Sequence, residues 1–295
     1  MSDRYGLRDG YWYQEAVIAG EQVPLQPYKE TAESRWKRFI LPFVPSHPGR
    51  AIDLGCNAGF YGRRLRRCGW SVTGMDLDIR QATLWESDQP SGVEFIQGDI
   101  GRWDMPYAEL AVAACVLYWL DEKTLERMVE GMRHRIASVI VMSRRASHPS
   151  HHSNGTLRWM RTVFRLWEPG EVIEHGNHYA TIFRNRKIRS ICTRDLSRMS
   201  YRSNRFRRTF SDLIERVKAG KSFAPEDTPY YRYLCSVASS WRFERTVGLI
   251  RSVLKGGVTT PVRICNGRIL DGDHRVFLAQ RFGIGYLLAE DVTVA

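Results

Sequence analysis

The residues best suited to chemistry form a short constellation: Asp53, a glycine turn made of Gly55, Cys56, Asn57 and Gly59, and a second acid, Asp76. They lie in Ala51-Ile-Asp-Leu-Gly-Cys-Asn-Ala-Gly-Phe60 and Val72-Thr-Gly-Met-Asp76. The order reads as buried strand, glycine turn, helix, second strand, terminal acid. An adenosine-bearing cofactor needs that order, because an acid about 20 residues after the turn can accept from both ribose hydroxyls. Glycines at 55 and 59 allow a sharp bend and a close approach of backbone to ligand. A pyrophosphate would favour G-x-G-x-x-G with amides at a helix N-terminus. A carboxylate at Asp53 repels that group and suits a cationic, amino-acid-bearing cofactor instead.

Asp53-Leu-Gly-Cys-Asn-Ala-Gly59 resembles motif I of class I S-adenosylmethionine (SAM) methyltransferases, and further pieces follow in that family's order. Asp76 matches the ribose-binding acid. Phe95-Ile-Gln-Gly-Asp99 matches the loop whose acid faces the adenine amino group, a role the resemblance passes to Asp99. Tyr107 to Leu120 matches strand four and the turn after it. The likeness covers roughly residues 35–145. It implies S-adenosyl-L-methionine as cofactor, bound by Asp53, Gly55, Cys56, Asn57, Gly59, Asp76 and Asp99. Three positions depart from the pattern: Asn57 stands where a third glycine is common, Glu109 replaces the strand-four aspartate, and Tyr118-Trp119 follows strand four where many relatives place histidine.

The elements that must position these residues alternate. Strands are expected at 50–55, 71–76, 93–97, 108–115 and 137–142, with helices such as 61–68 and 122–135 between them. That alternation predicts an α/β, doubly wound, mostly parallel sheet of the Rossmann-like kind, with ligands at the carboxyl ends of the strands. Tyr179-Ala-Thr-Ile-Phe183 reads as a closing strand. Ahead of the sheet, Thr31-Ala-Glu-Ser34 opens a helix through Trp36, Phe39 and Ile40 that stops near Pro42. This preamble is placed to fold over the cofactor as a lid, with Arg35 or Trp12 reaching the site. The plainer reading makes Trp12 and Trp36 core anchors.

Histidines 151, 152, 175 and 178 fall where a class I methyltransferase places its substrate-facing loops. His151, His152 and His178 are therefore the candidate bases for a hydroxyl acceptor, since imidazole titrates near neutral pH. Ordinary loop histidines are the competing reading. An acceptor that is already an ionised phosphate needs no base; alignment with the sulfonium is enough. Carboxylate partners at ligand spacing are missing around these histidines, so no metal site is expected.

The second half of the chain has its own logic. Trp241–Leu254 reads as a helix, Pro261–Ile264 as a strand, and Asn266-Gly267 as a hairpin turn. Asp271-Gly-Asp-His-Arg275 then opens a helix, Gly283 ends it, and Tyr286–Ala289 is a final strand. This order is similar to the ParB-like N-terminal fold over about 240–292. The resemblance implies nucleotide-phosphate binding at Asp271, Gly272, His274 and Arg275. A helix-turn-helix, which plasmid partitioning would require, does not follow. The expected organisation is residues 1–193 as methyltransferase with its lid, 194–221 as a basic helical linker, and 222–295 as a smaller α+β ParB-like domain.

The net charge is +12, and residues 184–208 hold ten basic residues against one acid, Asp195. That stretch reads equally as an anion-binding surface or as a solvated arginine-rich linker. Six cysteines without a Cys-x-x-Cys pair read as reduced thiols of a cytoplasmic protein. The polar N-terminus lacks signal-peptide character, and no apolar run reaches membrane-span length.

The turn sequence and aromatic preamble look like a methyltransferase branch that includes wobble-uridine tRNA carboxymethyl-transferring enzymes and O-antigen chain terminators. Joined to a phosphate-handling module, this points to O-methylation of a small molecule or of a glycan or phosphate acceptor. The Asn/Asp-Pro-Pro-Tyr/Phe box of DNA amino-methylation is missing after strand four. Nucleic acid is therefore a possible partner but not the favoured one. A tRNA-modifying methyltransferase, or a SAM- and nucleotide-binding regulator without catalysis, are the alternatives.

Overall fold

The computed structural model describes residues 14–23, 31–146, 152–198, 204–220, 222–237, 242–265 and 268–292. His151, Trp12 and the Asn266-Gly267 turn lie outside the described residues. The chain divides into two compact units, residues 1–189 and 190–295.

The first unit is built on seven strands: β1 Arg50–Leu54, β2 Ser71–Asp76, β3 Glu94–Gln97, β4 Ala108–Ala114, β5 Ile136–Arg144, β6 Trp167–His175 and β7 His178–Asn185. Their order across the sheet is β3-β2-β1-β4-β5-β7-β6. The first five are mutually parallel, and β7 runs antiparallel to both neighbours. Between them come α1 Phe60–Arg67, α2 Arg80–Asp88, α3 Glu122–Met132 and α4 Leu157–Val163. β1 and β4 are buried on both faces, which explains their nearly continuous apolar runs. The chain reverses direction across the sheet between β1 and β4, so a crevice opens at their carboxyl ends.

The preamble folds much as its sequence predicts. The Thr31 hydroxyl caps a helix by accepting from the Ser34 amide at 3.1 Å. Ala32–Arg35 continues into a wider π turn, Trp36–Ile40, and then a 3₁₀ turn containing Pro42. Trp36, Phe39 and Ile40 are buried in one apolar cluster with Phe60 and Tyr61 of α1. Trp36 is thus a core anchor.

The second unit carries a four-stranded sheet of β8 Ile188–Cys192, β9 Val262–Cys265, β10 Arg268–Asp271 and β11 Tyr286–Asp291, in the order β8-β11-β9-β10. Its helices are α5 Thr193–Arg198, α6 Asn204–Lys218, α7 Pro229–Ser236, α8 Phe243–Gly256 and α9 Asp273–Arg281. The sequence of α8, β9, β10, α9 and β11 follows the predicted one. The expected linker at 194–221 is corrected here. Phe206, Phe210, Leu213 and Ile214 of α6 are buried in this unit's core beside Tyr230, Phe243 and Leu278. Arg207, Arg208 and Lys218 are exposed on the outer side of this amphipathic helix, and the charge count alone concealed its buried face.

Candidate active site

The glycine turn is held by the end of β2. The amides of Gly55 and Cys56 both donate to the Met75 carbonyl, at 2.8 and 3.1 Å. Gly59 closes the turn by donating to the Cys56 carbonyl at 2.8 Å. Three turn residues have left-handed backbones: Gly55 (φ +64°), Asn57 (φ +51°) and Gly59 (φ +82°). Asparagine tolerates this conformation better than most side chains, so Asn57 fills the place of a third glycine.

Why Gly55 and Gly59 must be glycine differs from the sequence expectation. A Cβ at Gly55 would lie 2.3 Å from Val116, and one at Gly59 would lie 2.5 Å from Phe95. Both spaces are filled by protein, so these glycines serve the turn and its packing rather than a close approach to ligand.

The turn brings its acids together. Asp76 accepts from the Asn57 amide at 2.9 Å and from the Asp78 amide at 3.2 Å, one bond to each carboxylate oxygen. The next residue, Leu77, is a large apolar side chain left 69% exposed at the same strand end. Asp99 follows β3, where the Gly98 amide donates to the Asp76 carbonyl at 2.8 Å. Its carboxylate accepts from Gly101 at 2.8 Å and lies 3.4 Å from Arg102. Asp53, Asp76, Asp99 and the turn thus share one sheet edge.

Asp53 is fully buried. One oxygen accepts from the Gly62 amide at 2.8 Å; the other, like the side-chain oxygen of Asn57, is buried with no hydrogen-bond partner. Burial pushes the Asp53 carboxyl up from 3.8 to about 7, against the Gly62 bond and helped by the Asp76 charge. The same burial, with the charges of Asp53 and Asp76, raises the Cys56 thiol and leaves it inert. Two uncompensated acceptors suit a cationic ligand at this edge, whose charge would draw the proton off Asp53 and pair with the carboxylate. Leu77 thus adds an exposed apolar surface next to Asp76 at this edge.

A pH dependence follows. Between about pH 4 and 7 the folded chain keeps a proton on Asp53 that the unfolded chain has lost. This group's contribution to stability is therefore full below its unfolded value and lost as pH rises through about 7. Asp53→Asn is expected to flatten the decline in unfolding free energy over that window. Equal slopes for variant and parent in denaturant titrations at several pH values would contradict it.

Sequence reasoning missed Gln14, whose side chain accepts from the Phe60 amide at 3.0 Å. That bond occupies the first turn of α1, where a dinucleotide fold would seat pyrophosphate. Nothing in the local sequence of Gln14 signals it, because the contact spans 46 residues. Glu109 sits at the opposite end of the sheet and accepts from the Arg50 amide at 2.7 Å, a structural role.

On the acceptor side, Tyr118 is buried and Trp119 is 48% exposed in the turn after β4. The segment carrying His152 is pinned on that turn: the amides of His152 and Ser153 donate to the Tyr118 carbonyl at 2.9 and 3.1 Å. The Gly155 carbonyl accepts from Ser143 and from the Tyr179 hydroxyl, both at 2.8 Å. The His152 ring stands edge-on to Trp119, with centroids 6.4 Å apart. Burial raises the Tyr118 phenol, opposed by its bond to Arg144, so it stays protonated at neutral pH. His178 opens β7 opposite Arg144 of β5, with its ring edge-on to Phe39 at 6.2 Å. His175 is exposed. Of the three candidate bases, His152 is thus beside the Tyr118-Trp119 turn and His178 beside Phe39 of the π turn Trp36–Ile40. Arg144 and the pinning of 152–155 were not foreseen.

In the second unit, the expected phosphate residues have other partners. Arg275 pairs with Asp271 at 2.7 Å and donates to the Pro261 carbonyl. The His274 ring bonds the Tyr230 hydroxyl and stands edge-on to Phe206 and Phe210. Gly272 is left-handed (φ +111°), and a Cβ there would lie 3.2 Å from Val262. Each of the four thus has a partner or close neighbour within its own unit.

A family model described as a methyltransferase domain matches residues 51–138. No curated protein matches the chain. Among solved structures, the chain is similar to PH0226 of Pyrococcus horikoshii OT3, at 15% identity and a TM-score of 0.45, over 52% of this chain and 91% of that one. It is also similar to the N-methyltransferase NodS of Bradyrhizobium japonicum WM9 in complex with S-adenosyl-L-homocysteine, at 17% identity and a TM-score of 0.43, over 48% and 80%. Human N-acetylserotonin methyltransferase in complex with SAM gives 15% identity and a TM-score of 0.44, over 52% and 53%. Likenesses this distant add nothing to the sheet order and the family match. No helix among the described residues is long and apolar enough to cross a membrane. The methyltransferase-domain match thus falls on the part of the chain that holds β1 to β4, the glycine turn and the three acids Asp53, Asp76 and Asp99.

Proposed function

We propose that the first unit transfers the methyl group of SAM to an oxygen atom, a hydroxyl or phosphate of a small molecule or glycan terminus. The observation that carries this is the buried Asp53 beside the Asp76-braced turn, at the same sheet edge as Tyr118-Trp119. SAM supplies an electrophilic methyl on a sulfonium. Asp76 accepts from the ribose hydroxyls, Asp99 faces the adenine amino group, and Asp53 offers negative charge to the cationic part of the cofactor. Tyr118, held protonated, accepts from Arg144 and keeps its own hydroxyl proton to donate, and Arg144 places a fixed positive charge beside it. His152 or His178 takes the proton of a hydroxyl acceptor, whereas an ionised phosphate oxygen needs only alignment.

For the second unit, the order of α8, β9, β10, α9 and β11 supports the ParB-like resemblance. A nucleotide phosphate at the Gly272 turn would have to draw Arg275 away from Asp271 and His274 from Tyr230.

The test is labelled-methyl transfer from SAM to separated cell fractions. Label in envelope glycans or small metabolites is the expected outcome. Label confined to tRNA or DNA would instead select the nucleic-acid alternative.

A further inference from the structure

We propose a second ligand site, for phosphate groups, on the outer face of α1 against the turn 89–91. The site is independent of the methyl-transfer reading. α1 leaves the carboxyl end of β1 and runs back along the sheet. Its last turn and the segment entering β3 therefore lie at the amino ends of the strands, away from the turn at 55–59. A cavity of about 470 Å³ opens there, lined by Arg63, Arg66, Arg67, Gln89, Pro90 and Ser91, with no carboxylate in its wall. A second cavity of about 220 Å³ shares Arg63, Arg67 and Gln89 with it and adds one carboxylate, Glu15, which accepts from the Ala32 amide at 2.8 Å.

Charge in this region is unbalanced. Glu86 is the one carboxylate at Arg63, at 2.5 Å, and it is saturated: it also accepts from the Ser91 amide and hydroxyl and from the Gly92 amide. Arg63 is further fixed over the Trp85 ring, 4.4 Å from its centroid. Arg64 is taken by Glu33. Arg66 donates to the neutral Trp70 carbonyl at 3.2 Å, which leaves its charge uncancelled. Arg67 is exposed and has no ion-pair or hydrogen-bond partner among the described residues. Its charge also repels Arg63. Two positive charges are left over in one concave wall. A phosphate group carries up to about two negative charges at neutral pH and accepts forked bonds from guanidinium, so it balances both. A single carboxylate would balance one.

The test uses the full chain at constant ionic strength, titrated by calorimetry with inorganic phosphate, pyrophosphate and a short oligouridylate. Saturable binding is expected, weakened about tenfold in Arg67→Ala, with SAM affinity unchanged as evidence of an intact fold. Arg251→Ala on α8 removes one exposed charge elsewhere and should leave binding within about twofold. Tightest binding of oligouridylate would identify a phosphodiester chain as the source, and tightest binding of pyrophosphate a free phosphate compound. Three results would each overturn the proposal: no saturable binding, equal affinity in Arg67→Ala, or an equal loss in Arg251→Ala.

Discussion

Asp76→Ala is expected to weaken SAM binding by roughly ten- to a hundredfold, the 1.5–3 kcal/mol typical of hydrogen bonds to a charged group. The carboxylate is fixed before any ligand arrives. Each of its oxygens accepts one backbone amide, from Asn57 or Asp78, and each retains acceptor capacity for a ribose hydroxyl. The substitution also releases the Asn57 amide that holds the turn in its left-handed conformation, so loss of order adds to loss of contact. Asp76→Asn should recover little of the affinity, because the amide group halves the number of acceptors and removes the charge. Calorimetric titration of SAM into the three proteins reads this directly, and equal affinities would remove Asp76 from the site.

Gly55→Ala is expected to cost about 2–4 kcal/mol of stability, combining overpacking with a left-handed backbone on a residue that has a Cβ. The new methyl would be 2.3 Å from a Val116 methyl at φ +64°. Val116 stands two residues past β4, ahead of the turn Leu117–Trp119, so relief by backbone movement would have to shift the turn that follows the central strand. The pair Gly55→Ala/Val116→Ala separates the two causes. The double variant should recover most of the overpacking and little of the backbone strain, giving clear non-additivity in denaturant unfolding. Strictly additive effects would show that Val116 is not what excludes a side chain there.

Much of this site is legible in the sequence because its determinants are local. Asp53, the turn at 55–59 and Asp76 span one strand-turn-helix-strand unit, and period and glycine spacing suffice to place them. The capped helix at Thr31 is legible for the same reason. What the sequence does not reveal depends on contacts between distant segments. Gln14 reaches the first turn of α1 across 46 residues. The segment at 152–155 is placed by the Tyr118 and Gly155 carbonyls, not by its own pattern. The reason Gly55 and Gly59 tolerate no side chain lies in Val116 and Phe95, which motif spacing alone cannot show. The basic stretch ending at Arg208 misleads in the opposite direction. Its charges suggest a linker, while Phe206, Phe210 and Leu213 at helical spacing place α6 in a core.

The most direct measurement of the central claim is a crystal structure of the full chain with S-adenosylhomocysteine. The account predicts the nucleoside at the carboxyl ends of β1 and β2, its ribose hydroxyls on Asp76, its adenine against Leu77 with the amino group toward Asp99, and its amino-acid part beside Asp53. A ligand bound elsewhere, or a ribose that makes no bond to Asp76, would contradict it.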